Sequence, residues 1–433
     1  MPTTIDTAAQ GLCSYIDASP SPFHACAEAA RLLEGHGFTA VAETAAWPSE
    51  PGRYYLIRGG SLVAWSTEHA DGPATPFRVV GAHTDSPNLR IKPQPDLSRA
   101  GWQLLGVEVY GGPLLSSWLD RDLGVSGRVA VRGTGGTVPE TRLVKVDDPV
   151  LRVAQLAIHL DRDVNTEGVK LNAQQHLSPI WGVGTGPGDF TGWLAEQVGS
   201  APGDVLGWDL MTHDLTPARL LGRHRDLVAA PRLDNLATSY AGVRALATAV
   251  EEAPARPSTQ VLVLFDHEEV GSMSERGAFS TLLPVALERI VGTLGGGREE
   301  YLRALAGTVI ASGDMAHATH PNYADRHEPQ HQIAMNGGPV LKVNTKLRYA
   351  TDAVGAAAFV AACEQAGVPV QKFVVRSDLP CGSTVGPMTA ALTGATTVDF
   401  GAPMLSMHSA RELAGAADQS MYAGALAAFL SPA

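Results

Sequence analysis

Val261-Leu262-Val263-Leu264-Phe265-Asp266-His267-Glu268-Glu269-Val270-Gly271-Ser272 is the stretch on which the fold turns. Five apolar residues without a polar break read as a buried strand of a parallel sheet, because a strand covered on both faces has no reason to alternate. The run stops at two adjacent carboxylates, and Gly271 then opens a loop. In open α/β sheets, ligands bind beyond the carboxyl ends of the strands. Neighbouring carboxylates repel each other unless something positive stands beside them. A metal ion supplies that charge and divides the work: one carboxylate binds the ion, the other takes a proton from a water the ion activates. A lone Glu-Glu pair at a solvated strand end would need no such explanation. The metal reading gains because similar strand ends recur along the chain.

Phe77-Arg78-Val79-Val80-Gly81-Ala82-His83-Thr84-Asp85 repeats the pattern, ending in His-x-Asp. A metal-binding imidazole needs its second ring nitrogen held by an acceptor, so His83 reads as a ligand and Asp85 as its partner. By itself this pair also suits a satisfied core histidine. Asp234, in Arg232-Leu233-Asp234-Asn235, precedes an Ala-rich helix from Leu236 to Val250. A carboxylate there is an ordinary helix cap or a bridge between two ions. Thr308-Val309-Ile310-Ala311-Ser312-Gly313-Asp314 is a short strand with an acid at its end, and Thr396–Phe400 leads through a Pro-containing loop to His408. His317, His320, His327 and His331 share no face and are not assigned as ligands. Lys342 lies inside the apolar strand Val340–Val343, where a lysine either pairs with an anion or snorkels from an edge strand. Pro380–Pro387 is a tight polar turn whose amides suit an anion, whereas Gly182–Gly188 lacks the Lys-Ser/Thr of a phosphate loop and is a flexible connection.

With 433 residues, 45% hydrophobic and 18% charged, the chain suits a large core and two domains. A net charge of −12 argues against a nucleic-acid surface. Cys13, Cys26, Cys363 and Cys381 include no C-x-x-C pair, which fits a reducing compartment. No basic residue precedes Arg31 and no apolar run approaches the ~20 residues of a membrane helix, so the expected location is the cytoplasm, away from membranes. The N-terminal region reads as helical, with Ser21-Pro22 starting a helix that His36-Gly37 ends. Arg53–Trp65 reads as two strands around Gly59-Gly60. Between 93 and 223 the strand-then-ligand rhythm stops. Leu104–Tyr110, Val125–Arg132 and Arg142–Val146 alternate like antiparallel strands, and a helix is expected near Leu151–Leu160 with His159 packed on its apolar face. The domains expected are thus 1–92 plus 224–433, an α/β sheet flanked by helices, and an inserted, mainly β domain at 93–223. A closing helix is expected over Ala414–Leu430.

His83, Asp234, Glu268, Glu269, Asp314 and His408 together form a set of nitrogen and oxygen donors that suits two metal ions around a shared carboxylate. Zn²⁺ is favoured, with Mn²⁺ or Co²⁺ as substitutes. The sequence resembles the aspartyl aminopeptidase family, co-catalytic di-zinc exopeptidases, nearly end to end. The resemblance is carried by Gly81–Pro87, Leu233-Asp234-Asn235, Asp266–Ser272, Ser312–Ala318 with His320–Tyr323, and Met407-His408-Ser409. It implies a zinc-exopeptidase-type fold. It implies two zinc ions per subunit, one on His83 and Asp314, the other on Glu269 and His408, with Asp234 shared. Glu268 would be the general base, and His159 would reach a neighbouring subunit's active site. Lys342 would contact the acidic side chain of a substrate with Asp or Glu at its N-terminus. The inserted domain would make a dimer contact in a tetrahedral dodecamer of dimers. The alternative is a two-metal hydrolase of other specificity, a general aminopeptidase or a deacylase.

Overall fold

The computed structural model describes residues 7–136, 138–252 and 254–433. It divides into two compact units. The first comprises the described residues up to Asp85, Ala218–Met407 and Glu412–Ala433; the second comprises Ser86–Pro217 and His408–Arg411.

Among the described residues, the first unit holds a nine-stranded sheet with Thr259–Phe265 in its interior. All of that strand's residues are buried. It pairs in parallel with Phe77–His83, which places Phe265 opposite His83, and antiparallel with Ser61–Ser66. The sheet is therefore mixed, not wholly parallel. On its other side Phe77–His83 pairs in parallel with Val309–Gly313, Ser312 standing opposite Gly81. The unbroken apolar run has a simple cause. Leu262 and Leu264 enter one core with Val80, Ala237 and Ala241, while Val261, Val263 and Phe265 enter another with Leu283, Leu287 and Ile290. Side chains alternate between the faces of a strand, and both faces here are apolar. The helices Thr7–Ala18, Pro22–Glu34, Leu233–Ala249, Ala353–Gln365 and Ala416–Leu430 contribute to the first core. Leu282–Thr293, Arg298–Ala306 and Val385–Thr393 contribute to the second. A Cβ on Gly242 would lie 2.6 Å from Leu262 Cδ1, so glycine lets the Leu233–Ala249 helix lie this close to the sheet.

Ser21 caps the helix Pro22–Glu34 by accepting a hydrogen bond from the His24 amide at 3.4 Å. That helix ends at Gly35, earlier than the expected His36-Gly37. Arg53–Arg58 and Ser61–Ser66 form the expected hairpin. A second, five-stranded sheet contains Pro403–Leu405 and Glu412–Gly415. The first of these lies where a loop was expected, and Pro403 fits because it opens the strand. The second takes Ala414 and Gly415 from the expected closing helix, which starts at Ala416. Among the described residues, no helix is long and apolar enough to cross a membrane.

The second unit is built on a six-stranded antiparallel sheet, from Pro139–Leu151 at one edge to Ile180–Val183 at the other. Leu89, Val125, Val129, Phe190 and Leu210 lie in its core. The helix expected near Leu151–Leu160 is absent. Leu151 ends a strand, and only Ile158–Leu160 forms a short 3-10 turn. Leu156, Ile158 and Leu160 are exposed. Their apolar character is not matched by a covering core, and a helix without tertiary packing does not repay its nucleation. His159 is exposed as well, so it is not the packed histidine that its spacing suggested.

Candidate metal centre

Parallel neighbours in a sheet lie ~4.8 Å apart, so adjacent strand ends deliver their side chains to one place. Here three adjacent strands end in His83, in Asp314 one residue beyond Gly313, and in the turn that carries Glu268 and Glu269. The start of the Leu233–Ala249 helix adds Asp234, whose backbone departs from helical geometry. The Asp234 amide donates to Glu412 Oε2 at 3.0 Å.

His83 is 1% exposed. Its Nδ1 donates to the Asp85 backbone oxygen at 3.0 Å and lies 3.4 Å from Asp85 Oδ1. Holding the proton on Nδ1 turns Nε2 toward Asp234 Oδ1 at 3.3 Å and Asp314 Oδ1 at 3.6 Å. Donors about 2.0–2.2 Å from a tetrahedral zinc stand roughly 3.3–3.6 Å apart, so these separations suit one ion. Within the first unit two donor groups have ligand atoms within 4.8 Å of one another: His83, Asp234 and Asp314, and His83, Glu268 and Glu269. Asp85 does more than orient His83. Its Oδ1 accepts from the Glu268 amide and its Oδ2 from the Glu269 amide, both at 3.1 Å, and this grips the turn.

The electrostatics of these side chains alone call for a cation. Burial pushes Glu268 up to about 8; His83 opposes the shift, while Asp314, Asp85 and Asp234 add to it. Glu269 lies well above its usual range through burial and the charge of Asp234. Burial disfavours a charge on His83, but hydrogen bonds to Asp234, Asp314 and Asp85 outweigh it and raise its pKa well above 6.5. A cluster that gathers protons onto converging carboxylates is one that a divalent ion would discharge.

His83, Asp85, Asp234, Glu268, Glu269 and Asp314 are thus brought together within the first unit. Lys342 joins them: it is 2% exposed, its Nζ donates to the Met315 oxygen at 3.2 Å, lies 3.9 Å from Asp314 Oδ2, and sits 5.1 Å from the Tyr349 ring centroid. It does not snorkel from an edge, because Val340–Val343 has a strand on each side. His159 and His408 belong to the second unit. His408 has a left-handed backbone, φ 68°, and its Nδ1 donates to the Gly112 oxygen at 2.9 Å, which assigns the lone pair to Nε2. Two of the loop histidines bond within their own loop: His320 Nδ1 accepts from the Asn322 amide and His327 Nε2 from the His320 amide. His317 instead lies within the electrostatic reach of Lys342, Asp234 and Asp314. In the polar turn, the Thr384 hydroxyl caps the following helix and donates to Asp399 at 2.6 Å. Glu412 went unnoticed in the sequence because its carboxylate meets Asp234 across 178 positions, with no motif around it.

Sheet and cluster define the class: the fold is that of the zinc exopeptidases. The family model described as aminopeptidase I zinc metalloprotease (M18) matches residues 15–430. A probable M18 family aminopeptidase 2 from Mycobacterium bovis BCG is 55% identical over 427 residues, 98% of each chain. Its counterpart in Streptomyces coelicolor is 54% identical over 423 residues, 97% of each. Among solved structures, a chain of the cryo-EM structure of the Ape4 and Nbr1 complex superposes with a TM-score of 0.93 at 36% identity, covering 98% of this chain and 85% of that one. The S. cerevisiae mApe1 dodecamer gives 0.85 at 27% identity, covering 98% and 96%. The chain belongs to the M18 family of aminopeptidases, the family of the aspartyl aminopeptidases, and is a zinc metalloaminopeptidase.

Proposed function

We propose that the protein removes Asp or Glu from the N-terminus of peptides, using two zinc ions and Glu268 as general base. His83 and Asp314 are assigned to one ion, Glu269 and His408 to the other, and Asp234 to both; this pairing rests on the family resemblance. Mn²⁺ and Co²⁺ are the expected substitutes. The observation that carries the reading is the convergence of His83, Glu268, Glu269 and Asp314 at adjacent strand ends with Asp234 at a helix start. Zinc, when bound, supplies Lewis-acid polarisation and lowers the pKa of a water toward about 7. Glu268 accepts a proton from the attacking water and returns it to the leaving amine. Asp85 keeps the Glu268 turn in place through the two amide hydrogen bonds. His159, exposed on its short turn, stabilises the developing oxyanion in a neighbouring subunit.

Lys342 supports the acidic preference. A buried ammonium loses solvation that the Met315 carbonyl, the Tyr349 ring and the distant Asp314 carboxylate restore in part, and a charge-assisted hydrogen bond to a substrate carboxylate would add to them. For assembly we propose a tetrahedral dodecamer of dimers. The yeast mApe1 structure is a dodecamer, and the exposed Leu156, Ile158 and Leu160 beside His159 suit contact with a second copy.

The test compares Asp- and Leu-aminoacyl substrates with and without chelator. Chelator should abolish both activities. Without it, the Asp substrate should have the higher kcat/KM, by about 10- to 100-fold for a hydrogen bond worth ~1.5–3 kcal/mol. Lys342→Ala should remove that gap chiefly through KM. Equal rates on the two substrates would remove the acidic preference and favour a general aminopeptidase.

A further inference from the structure

We infer that Arg276, acting through Asp266 and His267, is a positioning residue that holds Glu268 in its proton-transfer geometry. The inference rests on the role of Glu268 proposed above. The turn that carries Glu268 and Glu269 is not an easy one to hold. His267, Gly271 and Ser272 all adopt left-handed backbone, with φ of 66°, 96° and 61°, and for His and Ser that conformation persists only where surroundings enforce it. Asp85 grips the turn from one side by its two amide contacts. A second set of bonds grips it from the other, and the proposed reaction does not use it.

Asp266, buried at 1% exposure, lies directly before the turn. Its Oδ1 accepts from the His267 amide at 2.9 Å, and its Oδ2 accepts from Arg276 Nε at 2.8 Å. Arg276 Nη2 faces His267 Nε2 at 3.2 Å. A guanidinium is only a donor, so Nε2 must be the acceptor and His267 Nδ1 carries the proton. That Nδ1 donates to Ser274 Oγ at 2.8 Å, and the same oxygen accepts from the Gly277 amide at 3.0 Å. Ser61 closes the ring: its hydroxyl donates to the Arg276 backbone oxygen and accepts from the Asp266 amide, both at 2.8 Å. The hairpin turn before Ser61 is shaped around these groups. A Cβ on Gly60 would lie 2.3 Å from Asp266 Oδ2, and one on Gly59 2.9 Å from Arg276 Cδ. Arg276 thus spans Asp266 and His267 with a planar fork that a lysine cannot reproduce. Both ends of the 266–276 loop are fixed, and Glu268 lies between them.

An ångström of misplacement of a reacting group costs on the order of 100-fold in rate. Arg276→Gln should therefore lower kcat by about 10- to 100-fold on whichever aminoacyl substrate the wild type turns over fastest. KM and zinc content should stay within twofold of wild type. The deciding measurement is the same substitution made in Glu268→Gln. If Arg276 acts through Glu268, its loss there should cost less than twofold. Arg276→Lys, which keeps the charge, should recover only part of the rate. Asp266→Asn, nearly isosteric, should match Arg276→Gln, and the double variant should be no worse than either. An unchanged kcat in zinc-loaded Arg276→Gln would overturn the inference. So would an equal factor of loss with and without Glu268. Neither result touches the acidic preference, which the wild type's own substrate panel decides.

Discussion

The end of the Phe77–His83 strand and the segment around His159 each present an imidazole, under opposite physical conditions. His83 is held on both ring nitrogens, by Asp85 on one side and by Asp234 and Asp314 on the other. It stands on a strand paired along both edges. His159 stands exposed on a short 3-10 turn, among exposed apolar residues. Groups that must converge within tenths of an ångström are built onto buried strands, where packing removes their freedom. On the role proposed above, His159 would be positioned by its contact with a second copy and not by packing within its own chain.

Substitutions on the two sides should break differently. Glu268→Gln should keep its zinc, measured by elemental analysis, and lose about 10²- to 10⁴-fold in kcat, the range for a positioned acid–base group. Activity near wild type would remove it as the base. His159→Ala should lose about 10²- to 10³-fold in kcat, the cost of one oxyanion donor, with zinc content unchanged because it is not among the proposed ligands. Mixing inactive Glu268 and His159 variants after subunit exchange should restore part of the activity if His159 acts in a neighbour. No recovery, with exchange shown by mass, would confine the two residues to separate functions.

The smallest effect is one of pH. Glu268 rises to about 8 from 4.5, and Glu269 and His83 rise as well. A pKa raised on folding contributes stability below its unfolded value and loses it as pH climbs through the folded value. Metal-stripped protein should therefore lose melting temperature between about pH 5 and pH 8, while zinc-loaded protein should not. Zinc added near pH 7 in weak buffer should release protons. A stripped protein with a flat profile over that window, or binding without proton release, would show that the cluster is not the cation site its charges imply.

The strand ends were legible because burial leaves a mark in composition. Val261–Phe265 and Phe77–His83 stand out from residue type alone, since a strand covered on both faces has little call for polar residues to interrupt it. The same rule failed at Leu151–Leu160, where Leu151 and Val153 enter the core as extended chain while Leu156, Ile158 and Leu160 have none to face. Pattern predicts structure only where something covers the pattern. Lys342 illustrates a second limit: whether its strand is an edge depends on neighbours that arrive from Gln371–Val374 and Thr396–Gly401.

By itself the sequence determined the identities of the chemical groups, the strands that carry them and the family to which they belong, because residue type and local periodicity are written along the chain. Only the tertiary structure decided which groups support them. Glu412 under Asp234, Asp85 under both glutamate amides and Arg276 across Asp266 and His267 are contacts between chain segments brought together by packing. Hydrogen bonds are short-ranged in space and indifferent to separation in sequence, so no spacing rule announces them.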